Sequence, residues 1–416
     1  MKPETKQRIE QIRRGEVPEG YQKTRDGIFP VDWHIQKINQ WIALAERPIT
    51  LEDDKKYRLV TVRRGFGGID LRGESLGKDI LVKNYFRVFH RDFLISKRQI
   101  AHGACGIVTK FLDGAVVSNE YNVFVSKPGT DIEMFNLMMQ LPHYTRLFYL
   151  MSDGVHIEKL LFKTQDWMKR QLAMPPIAEQ QKIAAILTTQ DKVIELKEKR
   201  LAEKLRQKKY LMQQLLTGKK RLPGFRGEWR VEYLGKLFRE RKETNCEGLE
   251  MLAITGTQGI IPRKELDLKD NSSEDKSKYL RVCIGDIGYN TMRMWQGVSA
   301  YSNYEGIVSP AYTILKPSLL VDAKYFAYLF KMPEMIFLFY RFSQGLVDDT
   351  RNLKYENFKK IKVVYPVDKN EQSAIAQVLS TADREISLLR QGIEQEKQKK
   401  KALMQLLLTG IVRVKT

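Results

Sequence analysis

The chain has 416 residues, 43% of them hydrophobic, which is enough to bury cores in at least two domains and excludes a disordered polymer. Its 71 Lys and Arg against 50 Asp and Glu leave a net charge of +21, which favours a polyanionic partner: nucleic acid first, an acidic membrane surface second. There is no apolar run of about 18 residues and no apolar leader core, and Cys105, Cys246 and Cys283 fit no zinc or disulfide spacing, so a cytoplasmic protein without a membrane span is expected.

Taken in chain order, residues 1–22 read as an N-terminal helical segment. Its Ile9–Gly15 stretch resembles Met212–Gly218, as though a helix end arrived from upstream at the first globular block. Residues 23–173 read as mixed α/β, with strands expected at 58–62, 80–82, 92–95 and 115–124 and a supporting helix at 132–150. Residues 174–222 hold a central helix. Residues 223–365 repeat the first block, with strands at 251–254, 281–284 and 307–315 and a helix at 323–342. Residues 366–416 hold a distal helix.

The repeat is clearest in the two helices. Residues 179–218 and 371–410 align without a gap and agree at about 18 of 40 positions, at an offset of 192 (371 minus 179). In the first, Ile183, Leu187, Ile194, Leu201, Leu205, Met212 and Leu215 recur at steps of three, four or their sum. The second does likewise from Ile375 to Leu407. This is a narrow seam, and a rod of about 60 Å must pair to bury it. Two similar units in one chain pair most simply about a pseudo-twofold axis, so the rods are expected to be antiparallel, with a globular block at either end. The fold class is mixed α/β: two globular domains in tandem repeat, separated by an antiparallel coiled coil.

Catalytic motifs are missing. Pro175-Pro176 lacks the preceding Asn, Asp or Ser that would hold a target amine for methylation, and Arg64–Gly68 is glycine-rich without the strand-turn-helix spacing of a cofactor loop. Gly218-Lys219 is not a P-loop, and the five histidines show no metal-ligand spacing. The chain reads as a binding protein.

The GYQKTRDGIFPVDW opening (20–33), the PPIAEQQKIAAIL start of the first rod, its NEQSAIAQVL counterpart and the two LLTG helix ends bracket two dissimilar blocks. In these features the whole chain resembles the specificity subunit of type I restriction-modification enzymes. The second rod begins YPVDKNEQ without the double proline, so a looser turn is expected there. The resemblance implies that each block is a target recognition domain reading one half of a split duplex DNA site. It also implies that the helices fix the gap between halves and dock two methylation subunits, with motor-nuclease restriction subunits joining the assembly. S-adenosylmethionine, ATP and Mg²⁺ would then be bound by those partners and not by this chain.

The duplication nominates reading residues. Asp92 and Gly103 align with Asp286 and Gly297, and between them polar side chains differ. Lys97, Arg98, Gln99 and His102, and Asn290, Arg293, Trp295 and Gln296, are the base-edge candidates, because Arg, Lys, Gln and Asn match the donor and acceptor pattern of the major groove. Arg63, Arg64, Arg72, Arg263, Lys264 and Arg351, beside glycine or turn residues, are candidates for phosphate contacts. Solvated surface loops are the competing explanation of both sets. The Lys and Arg runs at 197–209 and 397–401 read as partner-docking surfaces before DNA contacts. Two rival classes are a self-sufficient DNA methyltransferase, which would need a methyl-donor site, and a structured-RNA-binding protein with a helical arm, which would need its two helices joined by a short loop.

Overall fold

The computed structural model describes residues 3–81, 84–154, 156, 160–246, 248–256, 258–266 and 275–415. Two compact units divide the chain: residues 1–196 with 393–416, and residues 197–392. Both rods, Ile177–Leu215 and Lys369–Leu407, begin in one unit and end in the other. No helix among the described residues is long and apolar enough to cross a membrane.

The first unit is built on a four-stranded antiparallel sheet in the order Cys105–Ile107, Phe93–Ser96, Tyr121–Ser126, Ile42–Leu44, with Phe93 opposite Phe124. Every residue of Phe93–Ser96 is buried, because both faces of this strand are covered. Phe93 and Phe124 share a core with Phe135, Phe148 and Trp167, while Leu94 and Val123 share another with Val60, Val62 and Val117 of a five-stranded sheet. The second unit repeats the four-stranded sheet as Ser299–Tyr301, Ile287–Asn290, Tyr312–Pro317, Phe238–Arg241, with Ile287 opposite Leu315. Its other layer is reduced to two hairpin-like pairs, Leu252–Thr255 with Gly259–Pro262 and Leu280–Val282 with Gly306–Val308.

Several expected elements are shorter than the sequence pattern suggests. The strand expected over 115–124 is two, Val116–Ser118 and Tyr121–Ser126, since the chain crosses from one sheet to the other between them. The strand over 307–315 divides the same way. The helix over 132–150 is Ile132–Met138 followed by Pro142–Leu150, and that over 323–342 breaks before Pro333, because proline can start a helix but supplies no N–H to continue one. In the 80–82 strand, Ile80 closes a 3₁₀ turn and Val82 lies outside the described residues.

Within each unit the rods run antiparallel. In the first, Gln190 donates to Glu396 Oε2 (2.7 Å) and Lys400 pairs with Asp191 (2.6 Å). In the second, Lys208 pairs with Asp383 and Lys204 with Glu385, both at 2.6 Å. The apolar seam merges with the globular cores at the rod ends, and further along the rods Ile194, Ile386 and Ile393 are buried as well. Ile183 and Leu187 join Leu407 and Leu408 in the first unit, and Leu215 and Leu216 join Ile375 and Leu379 in the second. Ion pairs flank the seam, so Lys204 and Lys208 of the 197–209 run are cross-helix partners, and Leu205 stands exposed off the seam.

The repeated Glu-Gln pair explains how each rod starts. Gln180 donates to the carbonyls of Gly129 (3.0 Å) and Pro175 (2.8 Å) and accepts from the Asp131 amide (2.8 Å). Gln372 does the same with Leu320, Pro366 and Asp322 (3.2, 2.9 and 2.7 Å), so the second start, without its double proline, is held as closely as the first. The preceding Glu is buried in both copies and receives an arginine from the far end of the other rod. Arg413 grips Glu179 (2.7 Å) and also Asp32 (2.7 Å), and Arg221 grips Glu371 (2.6 Å). Each of these ends turns on a glycine at φ +70°. Gly218 faces the Trp229 ring, and a Cβ at Gly410 would lie 2.6 Å from Pro30. The helix end seated on the first block is therefore Leu407–Gly410 and not the upstream Ile9–Gly15 segment. The latter belongs to helix Pro3–Arg13, whose Arg8 donates to the carbonyl of Ile411.

Removing a guanidinium from a buried carboxylate leaves an uncompensated charge. Arg413→Ala is expected to destabilise the first unit by about 3 kcal/mol, at the low end of that range because Arg413 is partly solvated. Hydrogen exchange should accelerate in residues 177–196 and 393–415 with 197–392 unchanged, and Arg221→Ala should give the converse. Equal acceleration in both units from either variant would contradict this.

Candidate nucleic-acid interface

The base-edge candidates occupy the same turn in each unit. A buried strand ends, a 3₁₀ turn follows (Ile100–His102 or Met294–Gln296), and a left-handed glycine, Gly103 at φ +72° or Gly297 at φ +80°, feeds the next strand. Only a residue without Cβ fits there. A Cβ on Gly103 would lie 2.9 Å from the Phe66 ring, and one on Gly297 2.9 Å from Ile336. The turn is also anchored beneath. Buried Asp92 is held by Arg47 (2.6 Å) and the Phe89 amide (2.7 Å), and buried Asp286 by Arg241 (2.8 Å) and the Cys283 amide (2.8 Å). Two rigid scaffolds thus carry different side chains.

In the first unit the structure brings two candidate sets together. The Arg63–Gly68 loop lies along the turn, with the Gly65 amide donating to His102 O (2.7 Å) and the Phe66 amide to Gly103 O (2.9 Å). Phe66 takes φ +58° to do so, a strained conformation for an aromatic residue. Arg63 and Arg64 are consequently exposed beside Lys97–His102. Arg98 is exposed and pairs with Glu120 (2.7 Å), and Arg63 pairs with Asp70 (2.7 Å). Such surface pairs are worth about 0–1 kcal/mol and can be exchanged for a phosphate or a base edge. Lys97 and His102 are half-buried, and Gln99 keeps Oε1 buried without a hydrogen-bond partner. Arg72 is exposed on strand Ile69–Leu76, beside Asp79 and Tyr85 in a shallow cleft.

In the second unit, Asn290 and Trp295 are engaged by the turn itself. Asn290 Oδ1 accepts from the Met292 amide (3.0 Å) and Trp295 Nε1 donates to Met292 O (2.9 Å). Arg293 and Gln296 are exposed and project from it. Arg351 is largely committed as well: its guanidinium lies 3.9 Å from the centre of the Tyr340 ring and pairs with Asp348 (2.8 Å), while Tyr340 meets Trp295 edge to face. Arg263 and Lys264 sit on a separate 3₁₀ turn after Gly259–Pro262, with Lys264 paired to Glu250 (2.6 Å).

Sequence reasoning missed Lys331. Its ammonium donates to the Gly297 carbonyl (2.7 Å) and so supports the turn from behind. Burial, and then the charge of Lys208, push its pKa down to about 8. Phe66 and Tyr340 were missed too. The exceptional Phe between glycines was a usable signal for the first, but neither Tyr340 nor Lys331 carries one.

Comparison with known proteins finds similar sequences and similar folds. Residues 30–206 match the family model described as the type I restriction modification DNA specificity domain. A protein of Methanocaldococcus jannaschii described as a candidate MjaX specificity subunit of a type I restriction enzyme is 23% identical over 96% of this chain and 98% of its own length. Among solved structures, the S subunit of a type I restriction-modification system from M. genitalium is similar with a TM-score of 0.56, at 12% identity over 92% of this chain and 97% of that one. A chain from a structure of type I R-M complex assembly and conformational transition is similar with a TM-score of 0.54, at 15% identity over 92% and 99%. The fold is that of these subunits over nearly the whole chain.

Lys331 gives the turn a pH signature. Its folded-state pKa lies below the ordinary lysine value, so the charged form is the strained one: stability is withheld below pH 8 and recovered as pH rises towards 10.5. Lys331→Gln removes that dependence. The stability difference, variant minus parent, should be more positive at pH 7 than at pH 10 in denaturant melts, and a pH-independent difference would contradict the assignment.

Proposed function

We propose that this chain is the specificity subunit of a type I restriction-modification system, a non-catalytic protein that selects the DNA on which methylation and restriction partners act. The observation that carries this reading is the duplicated turn. One strand–3₁₀–glycine scaffold recurs on equivalent strands of two units, anchored by equivalent Arg–Asp pairs, and presents different polar side chains each time. A protein reading two unlike half-sites with one architecture needs this division between shared support and variable tip. In the first unit Lys97, Arg98, Gln99 and His102 face base edges, with Arg63, Arg64 and Arg72 on phosphates. In the second, Arg293 and Gln296 read directly, Asn290 and Trp295 shape the turn, and Arg263, Lys264 and Arg351 flank it.

The net charge of +21 supports the same reading, because neutralising phosphates supplies most non-specific affinity for duplex DNA. The rods set the gap between half-sites and offer their exposed faces to two methylation subunits, which hold S-adenosylmethionine. Restriction subunits hold ATP and Mg²⁺. The pairing of two rods separated in sequence by a whole globular block disfavours a helical-hairpin RNA arm.

Exchanging residues 223–365 for the corresponding block of a relative should change one half-site in a methylation map and leave the other unaltered. Arg293→Ala should relax discrimination at one base by about 1–3 kcal/mol within that same half. Alteration of both halves by either change would show that the units do not read independently.

A further inference from the structure

The second unit contains a cleft of about 810 Å³ that the DNA-reading scheme does not use. It lies behind the reading turn and is lined by Ser299, Tyr301, Lys324, Tyr328, Lys331 and the Lys208–Asp383 pair. Its charges do not balance. Asp383 is the one acid among its lining residues, and both carboxylate oxygens are engaged, Oδ1 by Lys208 (2.6 Å) and Oδ2 by the Tyr328 hydroxyl (2.7 Å). Among the described residues, Lys324 meets the face of Tyr301, 5.2 Å from the ring centre, and no carboxylate. Lys331 donates one hydrogen to Gly297 O, leaving two of the three donors of an ammonium unspent. Ser299, 1% exposed, contributes a hydroxyl with no hydrogen-bond partner.

Two uncompensated lysines and an unsatisfied hydroxyl around a cleft are the donor set of an oxyanion site. We propose that this cleft binds a phosphoryl group, held by Lys331 and Lys324 with Ser299 as the neutral donor. A phosphoryl group fits better than a lone carboxylate because its three oxygens can serve separated donors at once and its charge matches two ammonium groups. The cleft leaves room for whatever bears the phosphate. Burial and the charge of Lys208 hold the Lys331 pKa down at about 8, so an anion bound beside it would favour its charged form. The site belongs to the second unit alone. Aligning the helix caps Asp131 and Asp322 places Glu133, Leu137 and Gln140 where the second unit has Lys324, Tyr328 and Lys331.

The phosphoryl group can come from the DNA backbone or from a soluble phosphorylated compound, and one experiment separates the two. The full chain is titrated calorimetrically with inorganic phosphate and with pyrophosphate, alone and with saturating duplex DNA. Lys331→Gln, which installs the residue of the first unit, and Lys324→Gln should each weaken binding at least tenfold. Lys316→Gln, an exposed lysine outside the cleft, should leave it unchanged. If DNA is the source, duplex abolishes phosphate binding and Lys331→Gln lowers the salt slope of DNA affinity by about one. If the ligand is soluble, phosphate binding persists with DNA present. Either result supports the site, and persistence of phosphate binding in a chain that failed to recognise DNA would retain the site while removing the DNA reading. Absence of binding at millimolar phosphate and pyrophosphate, or equal affinities for the parent and a Lys331→Gln variant of unchanged melting temperature, would overturn the proposal.

Discussion

A buried carboxylate at the first turn of a rod is the constraint from which the rest of this architecture follows. Glu179 and Glu371 are almost fully buried, so each must be met by a cation, and in each unit the cation arrives on the opposite rod's terminal turn: Arg413 for Glu179 and Arg221 for Glu371. Meeting that requirement fixes where the incoming helix ends and stacks its terminal glycine on Trp33 or Trp229. It also sets the antiparallel register in which Lys400 finds Asp191 and Lys208 finds Asp383. The neighbouring Gln180 and Gln372 tie the same turns to the Asp-capped helices of the globular blocks. Rod ends and globular block in each unit are therefore mechanically one piece.

The duplicated rods, the two mixed blocks and the position of the variable turns were all legible in the sequence, because helical periodicity and a long internal repeat are local signals. The division of 115–124 and 307–315 between two sheets was not. An unbroken β-branched run reads alike whether or not the chain changes sheet partway. The ion pairs between the rods were not legible either: Lys204 and Lys208 look like solvent residues until Glu385 and Asp383 are placed opposite them, whereas Ile194, Ile386 and Ile393 of the expected seam are buried as the periodicity implies. The arginine latches could have been found, since GKKR at 218–221 and GIVR at 410–413 keep an Arg three residues after the terminal glycine. Lys331 could not, because its burial depends on strands and rods distant in sequence.

Under the proposed reading, specificity resides in few atoms. The four-stranded sheets bury aromatic clusters on the helix side, and Asp92 and Asp286 are locked by bidentate arginines, so the turns have little freedom to drift. A side chain change at Arg293 or Gln296 alters what is presented without altering how it is supported. The second unit adds an element absent from the first, since Lys331 couples the carbonyl of Gly297 to the cationic cleft behind the turn. Under the proposed reading, a ligand in that cleft would act on the turn through Lys331. The two units are thus alike in scaffold and unlike in chemistry at both the front and the back of the turn.

If two independent readers are held at a separation set by the rods, the preferred gap must follow rod length. Matched four-residue insertions after Ala202 and after Leu388, which lie on facing stretches because Lys204 pairs with Glu385, lengthen both helices by one turn, about 6 Å. Four residues also keep the apolar seam close to its register. Methylation of DNAs with identical half-sites and stepped gaps, by the insertion variant with its methylation partner, measures the consequence. Lengthening of the preferred gap by one or two base pairs, at a B-DNA rise of about 3.4 Å, with both half-site sequences unchanged, is the predicted result. An active variant that kept the original gap would contradict it and leave the rods as assembly surfaces.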